Sequence, residues 1–114
     1  MKILVTTIFI LYSIFGIALA GTKEYCANKW PDDYQIREYC TKQQIKANQE
    51  LFSIAESKGL VKNGTLSTSP SGGDYEKIVN RCMNKWENRQ FKTYDFTMVV
   101  YCIKQQFSAY KRVK

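Results

Sequence analysis

Cys26-Ala27-Asn28-Lys29-Trp30 returns as Cys82-Met83-Asn84-Lys85-Trp86, and Tyr39-Cys40-Thr41-Lys42-Gln43-Gln44 returns as Tyr101-Cys102-Ile103-Lys104-Gln105-Gln106. The chain is an internal repeat with one cysteine pair in each copy. Counting alone leaves three pairings open for four cysteines. The repeat selects one, Cys26 with Cys40 and Cys82 with Cys102. From cysteine to tryptophan is four residues in both copies, and from Tyr34 or Phe96 to the second cysteine is six in both. From tryptophan to that aromatic is four residues in one copy and ten in the other, so the six extra residues fall in a turn. Each cysteine keeps its offset from its helix end. A disulfide across a helical hairpin needs this, because the bond accepts a narrow range of Cα separations.

Working outward, the first copy begins with a short helical stretch over about residues 22–30. Pro31 disfavours helical geometry at Trp30, and Asp32 or Asp33 can cap the next helix, about residues 34–57. Its inner stripe is Ile36, Tyr39, Cys40, Gln43, Ala47, Leu51 and Ile54, and Gly59 sits where the helix stops. Residues 59–73 are rich in Gly, Ser, Thr, Asn and Pro and read as a flexible linker. Within it Asn63-Gly64-Thr65 fits the N-glycosylation pattern, a triplet common by chance. The second copy spans residues 74–114. Tyr75, Ile78, Val79, Cys82 and Trp86 form the stripe of its first helix. Residues 88–94 read as a loop, with Thr93 or Asp95 as the next cap. The last helix turns Phe96, Val99, Cys102, Ile103, Gln106, Tyr110 and Val113 inward. Trp30 and Trp86 read as plugs of the hairpin ends rather than as a binding platform, since large aromatics dominate small cores. Gln43 and Gln105 lie near the inner face, where their amides can bond turn backbone of the opposing hairpin. The fold expected is all-α, with two disulfide-clasped hairpins, about four helices, joined by the linker.

Residues 1–20 read as a signal peptide: Lys2, an apolar run from Ile3 to Ile17, then Ala18-Leu19-Ala20 before the cut. Cleavage leaves residues 21–114, with the first hairpin spanning 21–58. No later segment is apolar enough to span a bilayer. Export to a periplasmic or extracellular space explains the cysteines, because thiols pair where the medium is oxidising and a small core needs the help. Zinc is the competing use of cysteine, but structural zinc sites take closer pairs, often with His, and this chain has no His.

The missing His also removes the commonest general base. The adjacent carboxylates Asp32 and Asp33 read as a cap, and no spacing among the other acids selects a facing pair for glycoside chemistry. Ser67, Ser69 and Ser71 lie in the linker, where a nucleophile is poorly held. No cofactor, metal or catalytic residue is expected.

Charge is the one asymmetry. Residues 21–78 hold eight basic and eight acidic side chains, whereas residues 79–114 hold eight basic against Glu87 and Asp95. Arg81, Lys85, Lys104, Lys111 and Arg112 are therefore the candidate binding residues, set against the plain reading of a solvated face. An acidic protein or an anionic membrane or wall polymer fits such a surface. An exported chain seldom meets nucleic acid, and no nucleic-acid motif is present.

From Cys26 through Trp30-Pro31-Asp32-Asp33-Tyr34 to Tyr39-Cys40, the first copy resembles a Cys-x3-Trp … Tyr-Cys motif of small exported bacterial proteins of unknown function. The second copy matches more loosely because of its turn insertion. The resemblance implies a bacterial exported protein and nothing catalytic. The function expected is a non-enzymatic helical binding module, such as a periplasmic inhibitor or immunity-type protein; the alternative is a basic protein that docks on an anionic surface. The pairing is tested by non-reducing digestion within residues 59–73, which should release two denatured halves, each with its own bond. Halves that stay covalently joined would refute it.

Overall fold

Each cysteine pair closes a helical hairpin. The computed structural model describes residues 21–114; the expected signal peptide lies outside the described residues. Residues 21–29 are helical and form α1. They are followed by α2 (Tyr34–Ser57), α3 (Asp74–Lys85) and α4 (Phe96–Val113), with two short antiparallel ribbons, β1 (Val61–Lys62) with β2 (Thr65–Leu66) and β3 (Glu87–Asn88) with β4 (Thr93–Tyr94). Cys26–Cys40 clasps α1 to α2 with Cα atoms 5.8 Å apart, and Cys82–Cys102 clasps α3 to α4 at 5.7 Å. No free cysteine remains among the described residues. The pairing and the all-α class are those the repeat dictates.

The repeat extends to the helix ends. α1 and α3 stop at the equivalent Lys29 and Lys85, and α2 and α4 start at the equivalent Tyr34 and Phe96. Asp33 caps α2 by accepting from the Ile36 amide at 3.0 Å, and Asp95 caps α4 by accepting from the Met98 amide at 3.3 Å. At the far end of α2, Gly59 takes φ 71°; its amide donates to the Glu56 carbonyl and that of Leu60 to Ala55. This left-handed stop suits a residue without Cβ, and it seats Leu60 in the core beside Ala55.

The core is one cluster: Ala47, Leu51, Ala55 and Leu60 from the first half, Val79 and Cys82 from α3, and Phe96, Val99, Val100, Ile103 and Phe107 from α4. The second half of α2 thus lies on the face of the second hairpin. Gln44 meets the start of α4 and Glu50 pairs with Lys104, so the two helices run in the same sense.

Several expectations give way here. The α2 stripe is Gln44, Ala47, Asn48, Leu51 and Ala55; Tyr39 is 65 % exposed and Ile36 lies at the surface. The first three turns of α2 project beyond the core, so among the described residues their apolar side chains have no core to pack on. On α4 the stripe ends at Phe107, while Gln106 and Val113 are exposed. Gln43 is only half-buried and Gln105 is exposed; the buried amide is Gln44, one residue on and in one copy alone. Trp86 packs against the core, but Trp30 is exposed, since none of the described residues covers the first hairpin's end. The stretch read as a linker without elements begins with the β1–β2 ribbon, whose Asn63 and Gly64 both take positive φ, at 54° and 73°. That is the two-residue turn that matches strand twist, for which Asn-Gly is the preferred pair. The loop in the second copy likewise closes as a ribbon, which absorbs the six-residue insertion.

Leu51 is 1 % exposed at the centre of the joint between the hairpins. Leu51→Ala should cost about 2–5 kcal/mol by chemical denaturation, while Tyr39→Ala should stay within about 0.5 kcal/mol. Equal losses would contradict this core.

Candidate functional site

Two surfaces and one internal junction hold the polar chemistry. The junction centres on Asp95, which stands between β4 and α4. Its Oδ1 accepts from the Thr97 hydroxyl at 2.7 Å, from Gln44 Nε2 at 3.1 Å and from the Met98 amide, and its Oδ2 accepts from the Tyr25 hydroxyl at 3.1 Å. Gln44 returns the contact to the backbone, accepting from the Phe96 amide at 2.6 Å, and the Asp95 amide donates to the Trp86 carbonyl. One carboxylate therefore ties α1, α2, the second ribbon and α4 together. Burial pushes the carboxyl pKa up, but hydrogen bonds from Thr97, Gln44, Met98 and Tyr25 outweigh it and hold it below the usual 3.8. The Tyr25 hydroxyl is pushed up to about 12, by burial first and then by the Asp95 charge. These groups stabilise one another and leave no poised acid or base. Next to them Gly21 lies so close to the Phe91 carbonyl that a Cβ would collide with it, and Thr22 meets Thr93 at 3.1 Å between the hydroxyls.

The first surface is the exposed flank of α3. Lys77 and Arg81 border two adjoining clefts. One, about 190 Å³, is lined by Asp74, Ile78, Tyr110 and Lys114; the other, about 310 Å³, by Pro70, Asn80 and Asn84. Tyr110 donates to Asp74 at 2.8 Å, which fixes a wall between α3 and α4 and raises the pKa of its own phenol. The five candidate cations do not form one site. Arg81 stands with Lys77 and Lys114. Lys85 lies over the Trp86 ring at 5.8 Å, beside Tyr25 and Asp95. Lys104 faces the other way and pairs with Glu50. Lys111 and Arg112 are exposed near the end of α4, where Arg112 reaches Ser108. Among the described residues Arg81, Lys85, Lys111 and Arg112 join no ion pair. Arg81 is among the sequence candidates and Lys114 is not, and folding brings Lys114 to it from the end of α4.

The second surface, unread in the sequence, is a groove of about 380 Å³ on the first hairpin, lined by Lys23, Tyr34, Arg37, Glu38, Thr41 and Lys42. Arg37 stacks 4.8 Å from the Tyr34 ring, and Lys42 pairs with Glu38 at 2.8 Å.

Among the described residues no group of His, Cys, Asp and Glu is placed to hold a metal ion, and no helix is long and apolar enough to cross a membrane. No protein-family model, curated protein or solved structure matches the chain.

The junction contributes a pH dependence at both ends of the scale. Asp95 titrates lower in the folded chain than in the unfolded one, so its contribution is present above pH 3.8 and lost as pH falls through the folded value. Tyr25 titrates higher when folded, so its contribution is present below pH 10 and lost as pH rises through about 12. Asp95→Asn keeps a capping oxygen but turns an amide or a weaker acceptor toward Tyr25. It should cost about 1–3 kcal/mol at neutral pH and flatten the acid limb of the stability curve. An unchanged acid limb, read by denaturant titration at pH 2.5 to 6, about the carboxylate range, would remove Asp95 from this role.

Proposed function

We propose that this chain is an exported, non-enzymatic binding module that holds an acidic protein partner on the flank of α3, as a small periplasmic inhibitor or immunity-type protein would. The observation that carries the reading is the grouping of Lys77, Arg81 and Lys114 around notched clefts. A ridge of cations between two notches, one of them lined by the amides of Asn80 and Asn84, offers fixed donors at fixed depths, which suits a shaped partner carrying discrete carboxylates. Asp74 within the same surface disfavours a continuous sheet of negative charge. Two disulfides keep such a surface rigid outside a reducing cytosol, which supports a periplasmic or extracellular setting.

The alternative, docking on an anionic membrane or wall polymer, draws on a different observation. Val113 is 81 % exposed among Lys111, Arg112 and Lys114, an apolar side chain inside a basic cluster. The two readings separate by salt: surface docking weakens steeply as ionic strength rises, whereas an interface with a packed centre weakens less.

Affinity capture with the mature, oxidised protein tests the proposal. Lys77→Glu with Arg81→Glu should weaken capture of the recovered partner about tenfold or more while leaving the fold intact. Lys46→Glu with Lys62→Glu, an equal change of net charge elsewhere, should leave capture unchanged. Equal losses from both pairs would reduce the effect to overall charge.

A further inference from the structure

The two copies share helix ends, caps and clasps, so their faces can be compared position by position. On the second hairpin Val79, Phe96, Val99, Val100 and Ile103 are all at most 5 % exposed, because α2 lies across them. Their counterparts on the first hairpin are Lys23, Tyr34, Arg37, Glu38 and Thr41. Those residues line the open groove. The seat that takes a helix in one copy is therefore present in the other and bare among the described residues, with a polar lining in place of an apolar one.

The occupied seat specifies what the bare one would take. In the second hairpin the incoming helix sends Glu50 to Lys104 and Gln44 to the first amide of α4. The counterpart of Lys104 is Lys42, which in the open groove is paired with its own neighbour Glu38. Lys23 and Arg37 are further cations on the lining, and among the described residues neither joins an ion pair. We infer that the groove of the first hairpin receives an acidic amphipathic helix of a protein partner, seated as α2 is seated on the second hairpin. An acid on that helix would meet Lys42, and others would face Lys23 and Arg37. A second copy of this chain fits poorly. By the repeat, its contribution would be the end of α4, which would bring Lys111, Arg112 and Lys114 against the cations of the groove. The inference goes beyond the reading of the α3 flank and concerns a separate surface.

The probe is a stapled helical peptide with the sequence of residues 43–57 carrying Asn48→Glu and Ala55→Glu, two positions on the face that α2 turns to its seat, titrated into isotope-labelled, disulfide-intact mature protein. Saturable amide shifts should appear at Lys23 and over residues 34–42. A version with its glutamates changed to glutamine should bind about tenfold more weakly. Arg37→Glu with Lys42→Glu should abolish binding of the acidic peptide and create binding of its lysine-bearing counterpart, which shows that the variant remains folded. The inference is overturned by absence of saturable binding, by indifference to the charge swap, or by self-association of the protein through these same amides. Shifts confined to Lys77, Arg81 and Lys114 would also overturn it, and would leave the α3 flank as the anion-facing surface.

Discussion

A half-buried carboxylate that accepts from four donors is the constraint on which this architecture turns. Asp95 starts as a helix cap, a role any Asp before α4 could fill. Its second oxygen and its depth convert the cap into a joint, because Tyr25 and Gln44 come from the other hairpin to reach it. A charge placed there without those donors would cost more than it contributes, since desolvation opposes ionisation. The joint therefore forces α1 and α2 into one position relative to α4. Asp33, at the same place in the first copy, shows the unelaborated state: it caps α2 and stays exposed.

The duplicated hairpins have consequently become unlike partners. The second has an apolar face and is covered; the first lends its long helix as the cover and keeps a polar face of its own. Lys104 and Lys42 mark the difference. Equivalent in sequence, one reaches across to Glu50 and the other folds back on Glu38. Residues that face solvent in both copies, such as Tyr39 and Tyr101, are those whose surroundings the joint does not alter.

What could be read in advance follows from this asymmetry. The clasps, caps and helix ends are local, set by offsets and by residues such as Gly59 and Asp33, and the repeat made them legible. Burial is not local. Gln43 and Gln105 are paired by the repeat, yet Gln44 is the amide that turns inward, because α2 meets α4 on a face that only the docking of the hairpins defines. Asn63-Gly64 carried a hairpin signal that its polar surroundings masked. Of the candidate cations, Arg81 could be found by spacing along α3, but its companion Lys114 is adjacent only after folding.

The clasps also bear on how the chain matures. The cysteines pair in chain order, first with second and third with fourth. In a chain threaded N-terminus first into an oxidising compartment, an oxidase would therefore meet each native pair before the next cysteine arrived. A correct pattern would arise by vectorial oxidation, without the shuffling that nested or crossed bonds require of an isomerase.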